Sequence, residues 1–233
     1  MKFRVITILL TSIACATAGA QDCSRYHPFQ EGVELEISSY NKKGKTSAKG
    51  IYKIRNVSKI GGAETAMVQM ELFDEKGKSV ISTEYDITCK DDVVSIDFSN
   101  LFSVATYEMY KDMEFEMSGE NLQIPNNLSI GQSLPDANAL MEVNISAVTM
   151  KTSVDITNRK VVSRENVTTD AGTFDCYLIS YDTIVKSGMG LKQQGNGKQW
   201  ITEKLGLIKQ ESYSGKGKLL GHSELTAYKG ISQ

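Results

Sequence analysis

The stretch Met67-Val68-Gln69-Met70-Glu71-Leu72-Phe73-Asp74-Glu75-Lys76-Gly77-Lys78 decides the fold class. Val68, Met70 and Leu72 alternate with Gln69 and Glu71, so a strand would bury one set and wet the other. Phe73 ends the alternation, Asp74 to Lys78 forms a polar turn, and Val80 to Cys89 resumes extended sequence. Strand, tight turn and strand together read as an antiparallel hairpin.

The turn recurs. Tyr40-Asn41-Lys42-Lys43-Gly44-Lys45 and Tyr213-Ser214-Gly215-Lys216-Gly217-Lys218 keep its order: an aromatic residue, a short polar residue, two turn residues, Gly and Lys. The expected conformation is a type I turn with a G1 bulge. The Asn, Asp or Ser side chain caps it, and Gly44, Gly77 and Gly217 take the positive φ that other residues resist. The intervals between copies differ, so this is a repeat of turns and not a solenoid. The lysines read more simply as solvated turn residues than as a basic anion-binding rim.

Outward from this hairpin, extended candidates continue at Val33 to Ile37, Ile51 to Ile54, Met113 to Met117, Met141 to Val148 and Lys160 to Val167. Phe174 to Tyr181, Lys198 to Thr202, Leu207 to Tyr213 and Lys218 to Tyr228 follow. About eleven strands favour an extended antiparallel sheet over an α/β arrangement. One segment reads as helical, over residues 100–111, capped by Ser99 or Asn100, with Leu101, Ala105 and Met109 sharing a face. Ser118 to Ala137 and Lys186 to Lys198 read as loops. Gly188-Met189-Gly190 lacks the strand-then-helix setting of a phosphate loop, and Gly195-Asn196-Gly197 has turn chemistry. The fold expected is mainly β: residues 21–233 as one domain, a single rolled, strongly curved antiparallel sheet (a β-roll or half-barrel) with that helix. A flat sheet of so many strands would leave long edges exposed, and rolling removes them.

Residues 1–20 read as a signal peptide. Lys2 and Arg4 form the positive start, Val5 to Leu10 opens a short apolar run, and Ala18-Gly19-Ala20 suits cleavage before Gln21. The run is too short to span a bilayer, which takes about 20 residues. Lipid attachment at Cys15 through Ser12-Ile13-Ala14-Cys15 is the weaker expectation, because the usual Leu three residues before the Cys is missing. Without Lys2 and Arg4, 24 basic residues face 28 acidic ones, a net charge of −4. Nothing here resembles a nucleic-acid binder, and no later stretch suits a membrane span. The expected location is periplasmic or secreted, with an outer-membrane lipoprotein as the lesser alternative.

Three cysteines remain after cleavage. An odd number allows one intrachain disulfide and leaves one thiol free. Cys176 sits within a strand-like run, whereas Cys23 and Cys89 lie at segment edges beside polar residues. A Cys23–Cys89 bridge with Cys176 reduced and buried is therefore expected. No cysteine pair has zinc-site spacing, and no cofactor is implied. The two histidines, His27 and His222, give no catalytic constellation. His222 and Ser223 are adjacent on one strand and so face opposite ways, and G-x-S-x-G is absent. Cys176 has no sequence-adjacent group to lower its pKa. Trp200 reads as a core anchor whose indole N–H needs an acceptor. Four N-x-[ST] sequons, at Asn56, Asn127, Asn144 and Asn166, carry little weight in a bacterial product.

The C-terminal half resembles an uncharacterised group of exported Bacteroidetes-type proteins, sometimes called TapB-like, related to a larger periplasmic domain family of unknown function. The residues that carry this are Asn127 to Ala137, Asn158 to Val162, Val167 to Tyr177 and Trp200 to Lys209, then the third turn repeat. The match covers most of residues 125–228. It implies an envelope location and rolled antiparallel architecture, distantly like the half-barrel of lipoprotein carriers, and no catalytic residues. Asp182-Thr183-Ile184 also resembles the three-residue Bacteroidetes O-glycosylation signal.

The function expected is a non-enzymatic periplasmic binding or carrier module that holds an apolar ligand or partner segment in the concavity. Met67, Met70, Met109, Met113, Met117, Met141 and Met150 would repack around varied shapes, though filling an irregular core is their plainer role. Two alternatives stay open: a structural or assembly protein that docks on an envelope partner by a sheet edge, and a hydrolase with an unrecognised site. A deep apolar cavity would favour the carrier, and a filled interior with an open edge would favour docking.

Overall fold

The computed structural model describes residues 23–146, 148–188 and 190–231. The expected signal peptide and Cys15 lie outside these residues. Thirteen strands form one sheet: β1 (Glu34–Asn41), β2 (Thr46–Ile60), β3 (Ala63–Asp74), β4 (Ser79–Lys90), β5 (Val93–Ile96), β6 (Phe115–Glu120) and β7 (Leu122–Pro125) in the first half. The second half supplies β8 (Ala137–Ile145), β9 (Val148–Thr169), β10 (Gly172–Ser187), β11 (Leu191–Thr202), β12 (Gly206–Ser214) and β13 (Leu219–Lys229). The spatial order is β6-β8-β9-β10-β11-β12-β13-β1-β2-β3-β4-β5-β7, with antiparallel neighbours throughout. The two edge strands are consecutive in the chain, joined by Asn121, and the sheet rolls nearly shut into a barrel.

Alternation decides which side chains go in. In β3, Glu64, Ala66, Val68, Met70 and Leu72 are buried while their neighbours are only partly covered. The interior separates into two apolar clusters. One gathers Val33, Val68, Ile87, Val94, Val161, Ile179, Trp200 and Ile208, with Tyr26 from the N-terminal segment. The other gathers Met70, Leu72, Met141, Val143, Val154 and Tyr181 beneath Phe102, Tyr107 and Tyr110.

The three similar turns close alike. Asn41 N and Asp74 N donate to the carbonyls of Lys45 and Lys78, both at 2.9 Å, as does Ser214 N to Lys218. Asn41 Oδ1 accepts from Lys43 N and Lys45 N, and Asp74 Oδ1 from Lys76 N and Lys78 N. Those backbone donors, chiefly Lys78 N–H, lower the Asp74 pKa. Gly44, Gly77 and Gly217 have φ of 74°, 77° and 74°, a region that penalises any Cβ.

Three expectations need correction. The one helix expected near residues 100–111 is present as α1 (Val104–Tyr110), but its bounds are narrower, its cap differs, and a 3-10 turn, Phe98–Leu101, precedes it. Ser103 caps α1, and Asp97 caps the 3-10 turn through Ser99 N at 2.8 Å. The buried face is Tyr107 and Tyr110 instead of Ala105 and Met109, because two aromatic rings cover more apolar surface. Second, Ser118 to Ala137 is not all loop, since it contains the second half of β6 and the whole of β7. Third, the glycine-rich stretch 195–197 lies inside β11, paired on both sides. A Cβ on Gly197 would fall 2.2 Å from the Tyr181 ring, and one on Gly195 would fall 2.3 Å from Tyr213 O. These glycines serve close packing of neighbours and not chain reversal.

Candidate functional site

The seam where the sheet fails to close gathers the exposed edges and polar groups of the fold. Residues 115–125 run as one extended segment that changes partner at Asn121. Before it, Phe115–Glu120 pairs with β8; after it, Leu122–Pro125 pairs with β5. Asn121 Oδ1 accepts from Phe98 N at 3.1 Å, which pins the 3-10 turn to the crossing point. Gly119 allows the approach, since a Cβ there would meet Asn138 O at 2.2 Å. Strand β4 pairs with β3 along its length but with β5 only at Ile87–Lys90. Its outer edge over residues 80–86 therefore has no strand partner among the described residues. The inner side of this gap is plugged by α1, whose Tyr107 hydroxyl donates to Ser99 O at 2.8 Å and whose Tyr110 hydroxyl meets Thr152 Oγ1 at 3.1 Å.

Below the helix the seam opens into a broad depression of about 720 Å³, lined by Ser95, Asp97, Glu120, Asn121, Gln123 and Asp136 among others. Its lining is polar and acidic, and Glu84, Asp86, Glu114 and Glu116 are exposed on β4 and beside β6. Behind it lies Arg159, only 1% exposed. A bulge in β9 puts it there. Thr152, Val154 and Ile156 point inward, Asn158 adopts a left-handed φ of 54°, and the alternation shifts so that Arg159 and Val161 point inward. Arg159 Nη1 donates to Gln123 O at 2.9 Å and to Pro135 O at 2.6 Å, tying β9 to β7 and to the segment before β8. Its Nε and Nη2 have no partner among the described residues. Burial pulls the guanidinium pKa down to about 10, partly offset by Asp136, so it stays charged at neutral pH.

A second constellation anchors the N-terminal segment. Cys23 and Cys89 are disulfide-bonded. Cys23 N donates to Glu64 Oε2 at 3.1 Å, and Glu64, 4% exposed, also pairs with Lys59 at 3.0 Å. Asn126 accepts from Arg25 N at 2.8 Å and donates to Cys23 O. Cys176 is a free, buried thiol. Burial, with help from the Asp175 and Glu165 carboxylates, pushes its pKa up to about 12. His27 packs against Phe29, and burial lowers its pKa to about 4. His222 stacks on Tyr40 with ring centroids 4.8 Å apart. The acceptor for the Trp200 indole is Glu165 Oε1, at 2.6 Å. Of the seven methionines singled out, Met70 and Met141 are fully buried, Met109 and Met113 are exposed, and the rest are partly covered.

A family model described as DUF3108-like matches residues 30–225. The chain belongs to the DUF3108-like family. No curated protein matches this DUF3108-like chain. Among solved structures, it is similar to a protein described as exported, with a YmcC-like fold, from Bacteroides fragilis: 21% identity over 89% of this chain and 100% of that one, TM-score 0.77. It is equally similar to a protein described as a lipoprotein from Parabacteroides distasonis: 20% identity over 90% of this chain and 100% of that one, TM-score 0.77. At this identity the likeness is one of fold. The DUF3108-like match leaves out Cys23 but includes Cys89.

Sequence reasoning missed Arg159, β5 and β7. The signal for Arg159 was present: Asn158-Arg159 interrupts an otherwise regular strand, and Asn tolerates the left-handed conformation a bulge needs. The two short strands lacked the length that makes alternation legible.

Proposed function

We propose that this DUF3108-like chain is an exported, non-enzymatic module of the cell envelope that receives an extended, basic segment of a partner protein along the open edge of β4. The observation that carries this reading is the edge itself: residues 80–86 present unpaired backbone groups beside a strand run that has already switched partner. Such an edge is a template for strand addition. The exposed carboxylates of Glu84, Asp86, Glu114 and Glu116 favour a segment rich in Lys or Arg. The export signal read at residues 1–20, the Cys23–Cys89 bridge and the descriptions of the two similar proteins support the location.

Two observations favour this reading over its rivals. Side chains of both clusters occupy the barrel interior, so an apolar cargo would first have to displace Met70, Met141 and their neighbours. A nucleophilic cysteine needs a depressed pKa, and the Cys176 thiol is shifted the other way. The test is selection of binders from a displayed peptide library, followed by amide hydrogen exchange on the complex. Basic peptides of alternating pattern should be enriched, should protect the outward amides of Ser82, Glu84 and Asp86, and should lose binding in Ser82→Pro, which removes an edge donor. Selected peptides that bind Ser82→Pro equally well would overturn it. Native uptake of a fluorescent apolar probe would instead restore the carrier reading.

A further inference from the structure

The hairpin turns at the two ends of the barrel differ in charge. In the strand order β12-β13-β1-β2-β3-β4, the three Gly-Lys turns join alternate pairs. They therefore stand side by side on one rim, two strand spacings or roughly 10 Å apart. Lys45 of one reaches Glu75 of the next at 3.1 Å. The β10–β11 turn follows on the same rim beside β12, and the β8–β9 turn follows beyond it. Over residues 41–46, 74–79, 186–192 and 214–219 there are nine lysines and two acids. The turns at the opposite end, residues 60–63, 90–93, 169–172 and 202–206, hold two lysines and four acids. Topology has gathered nine of the 26 basic residues of an acidic protein into the turns of one end. The acidic exception on this rim is α1 with its connection to β6, which carry Glu108, Asp112 and Glu114 beside Lys111.

Exposed apolar side chains share that end. Nine large ones are exposed among the described residues, and five of them are Met113, Ile145, Val148, Leu191 and Leu220, at or beside these turns. Val148 and Leu191 are 63% and 60% exposed. Solvated turn lysines alone would require no aliphatic tips between them. Lysines that flank protruding aliphatic residues match a surface with anionic groups outside and hydrocarbon just beneath.

We propose that the lysine-turn end of the barrel docks on an anionic phospholipid surface. Lys42, Lys43, Lys216 and Lys218 meet the headgroups while Ile145, Val148 and Leu191 enter the acyl boundary. The contact is peripheral and reversible. It leaves the acidic end pointing away from the lipid and the open edge of β4 free along the barrel wall. It stands independently of what that edge binds.

The test is co-sedimentation of the exported form with vesicles of equimolar phosphatidylglycerol and phosphatidylcholine, against pure phosphatidylcholine, across a salt series. Binding is expected to the anionic vesicles only and should weaken steeply with salt. Each lysine at such a surface contributes about fivefold in affinity. The variant K42Q/K43Q/K216Q/K218Q should therefore lose roughly six-hundredfold, four factors of about five, and flatten the salt dependence. V148S/L191S should lose about tenfold per side chain with the salt dependence intact. All six positions are exposed, and thermal melting checks that each variant is folded; should one fail, the wild-type salt series and the other variant still decide. Equal binding to both vesicle types, no binding to the anionic vesicles at low salt, or unchanged binding by the lysine variant would each overturn the proposal. So would a dimer that dissociates in that variant, since a second copy would then cover the rim.

Discussion

Removing the Cys23–Cys89 bridge is expected to destabilise the barrel without unfolding it. The perturbation is Cys23→Ala/Cys89→Ala, which avoids leaving a hydroxyl at Cys89, a site with no solvent exposure. The bridge spans 66 residues. Releasing a loop of that size adds entropy to the unfolded chain worth roughly 4 kcal/mol in the loop-closure treatment. Unfolding entropy of about 2.1 cal/mol/K per residue, over a chain of roughly 210 residues, converts this to a fall in Tm of about 10 °C. The loss should not be larger, because the N-terminal segment keeps other anchors. Tyr26 is buried against Tyr177, Lys204 N donates to Arg25 O, and Asn126 holds Arg25 N. Calorimetry of the wild type with and without reductant, beside the double variant, measures it. Thiol counting in denaturant should find one free thiol in the chain from Gln21, that of Cys176. Three free thiols, or a Tm unmoved by reductant, would refute the reasoning.

Three more outcomes follow from the same geometry. Gly119→Ala should destabilise by at least about 2 kcal/mol and raise hydrogen exchange across β6, because its Cβ would collide with Asn138 O; wild-type exchange there would dismiss the close approach. The folded-state pKa of His27, about 4 against 6.5, lies below its unfolded value, so its contribution is present above pH 6.5 and is lost as pH falls through 4. That loss is at most about 3 kcal/mol, since the ring keeps some solvent contact; urea melts of wild type and His27→Gln at pH 7 and pH 4 should diverge by that amount, and parallel pH slopes would exclude it. Glu165→Gln keeps an acceptor for the Trp200 indole while Glu165→Leu removes it, so the second should be less stable by about 1–3 kcal/mol in chemical denaturation; equal stabilities would mean the bond contributes nothing.

Much of this architecture was legible because period-two alternation and turn chemistry are local. Val68, Met70 and Leu72 declare an inward face without any knowledge of the partner strand, and the Gly-Lys turns declare where the chain reverses. The site was less legible for the same reason. The seam depends on which strand lacks a neighbour, and nothing in residues 80–86 marks that edge as open. Gly195 and Gly197 misled because a glycine that admits Tyr181 looks, in sequence, like one that turns the chain. Met109 misled because a helix of seven residues has too few positions for its spacing to fix a buried face. Arg159 escaped notice for another reason: the extended reading began at Lys160, one residue past Arg159 and just beyond the bulge at Asn158 that turns its side chain inward.

The first and last strands pair with each other, Glu34 opposite Lys229, while the gap in the sheet lies in mid-chain. The chain ends are thus stitched into the continuous wall and the open edge is internal. Thr226, which bonds Glu36, is 190 residues from it in sequence, so the β1–β13 pairing closes a loop of most of the chain and carries a high entropic cost. The wall cannot be completed until the last strand is available, whatever has assembled before. It also makes the barrel a candidate for circular permutation. Linking Lys229 to Glu34 and opening the chain at the exposed Gly190 turn should preserve every strand pairing, whereas new ends cut at Asn121 would separate β6 from β7 at the crossing point of the seam.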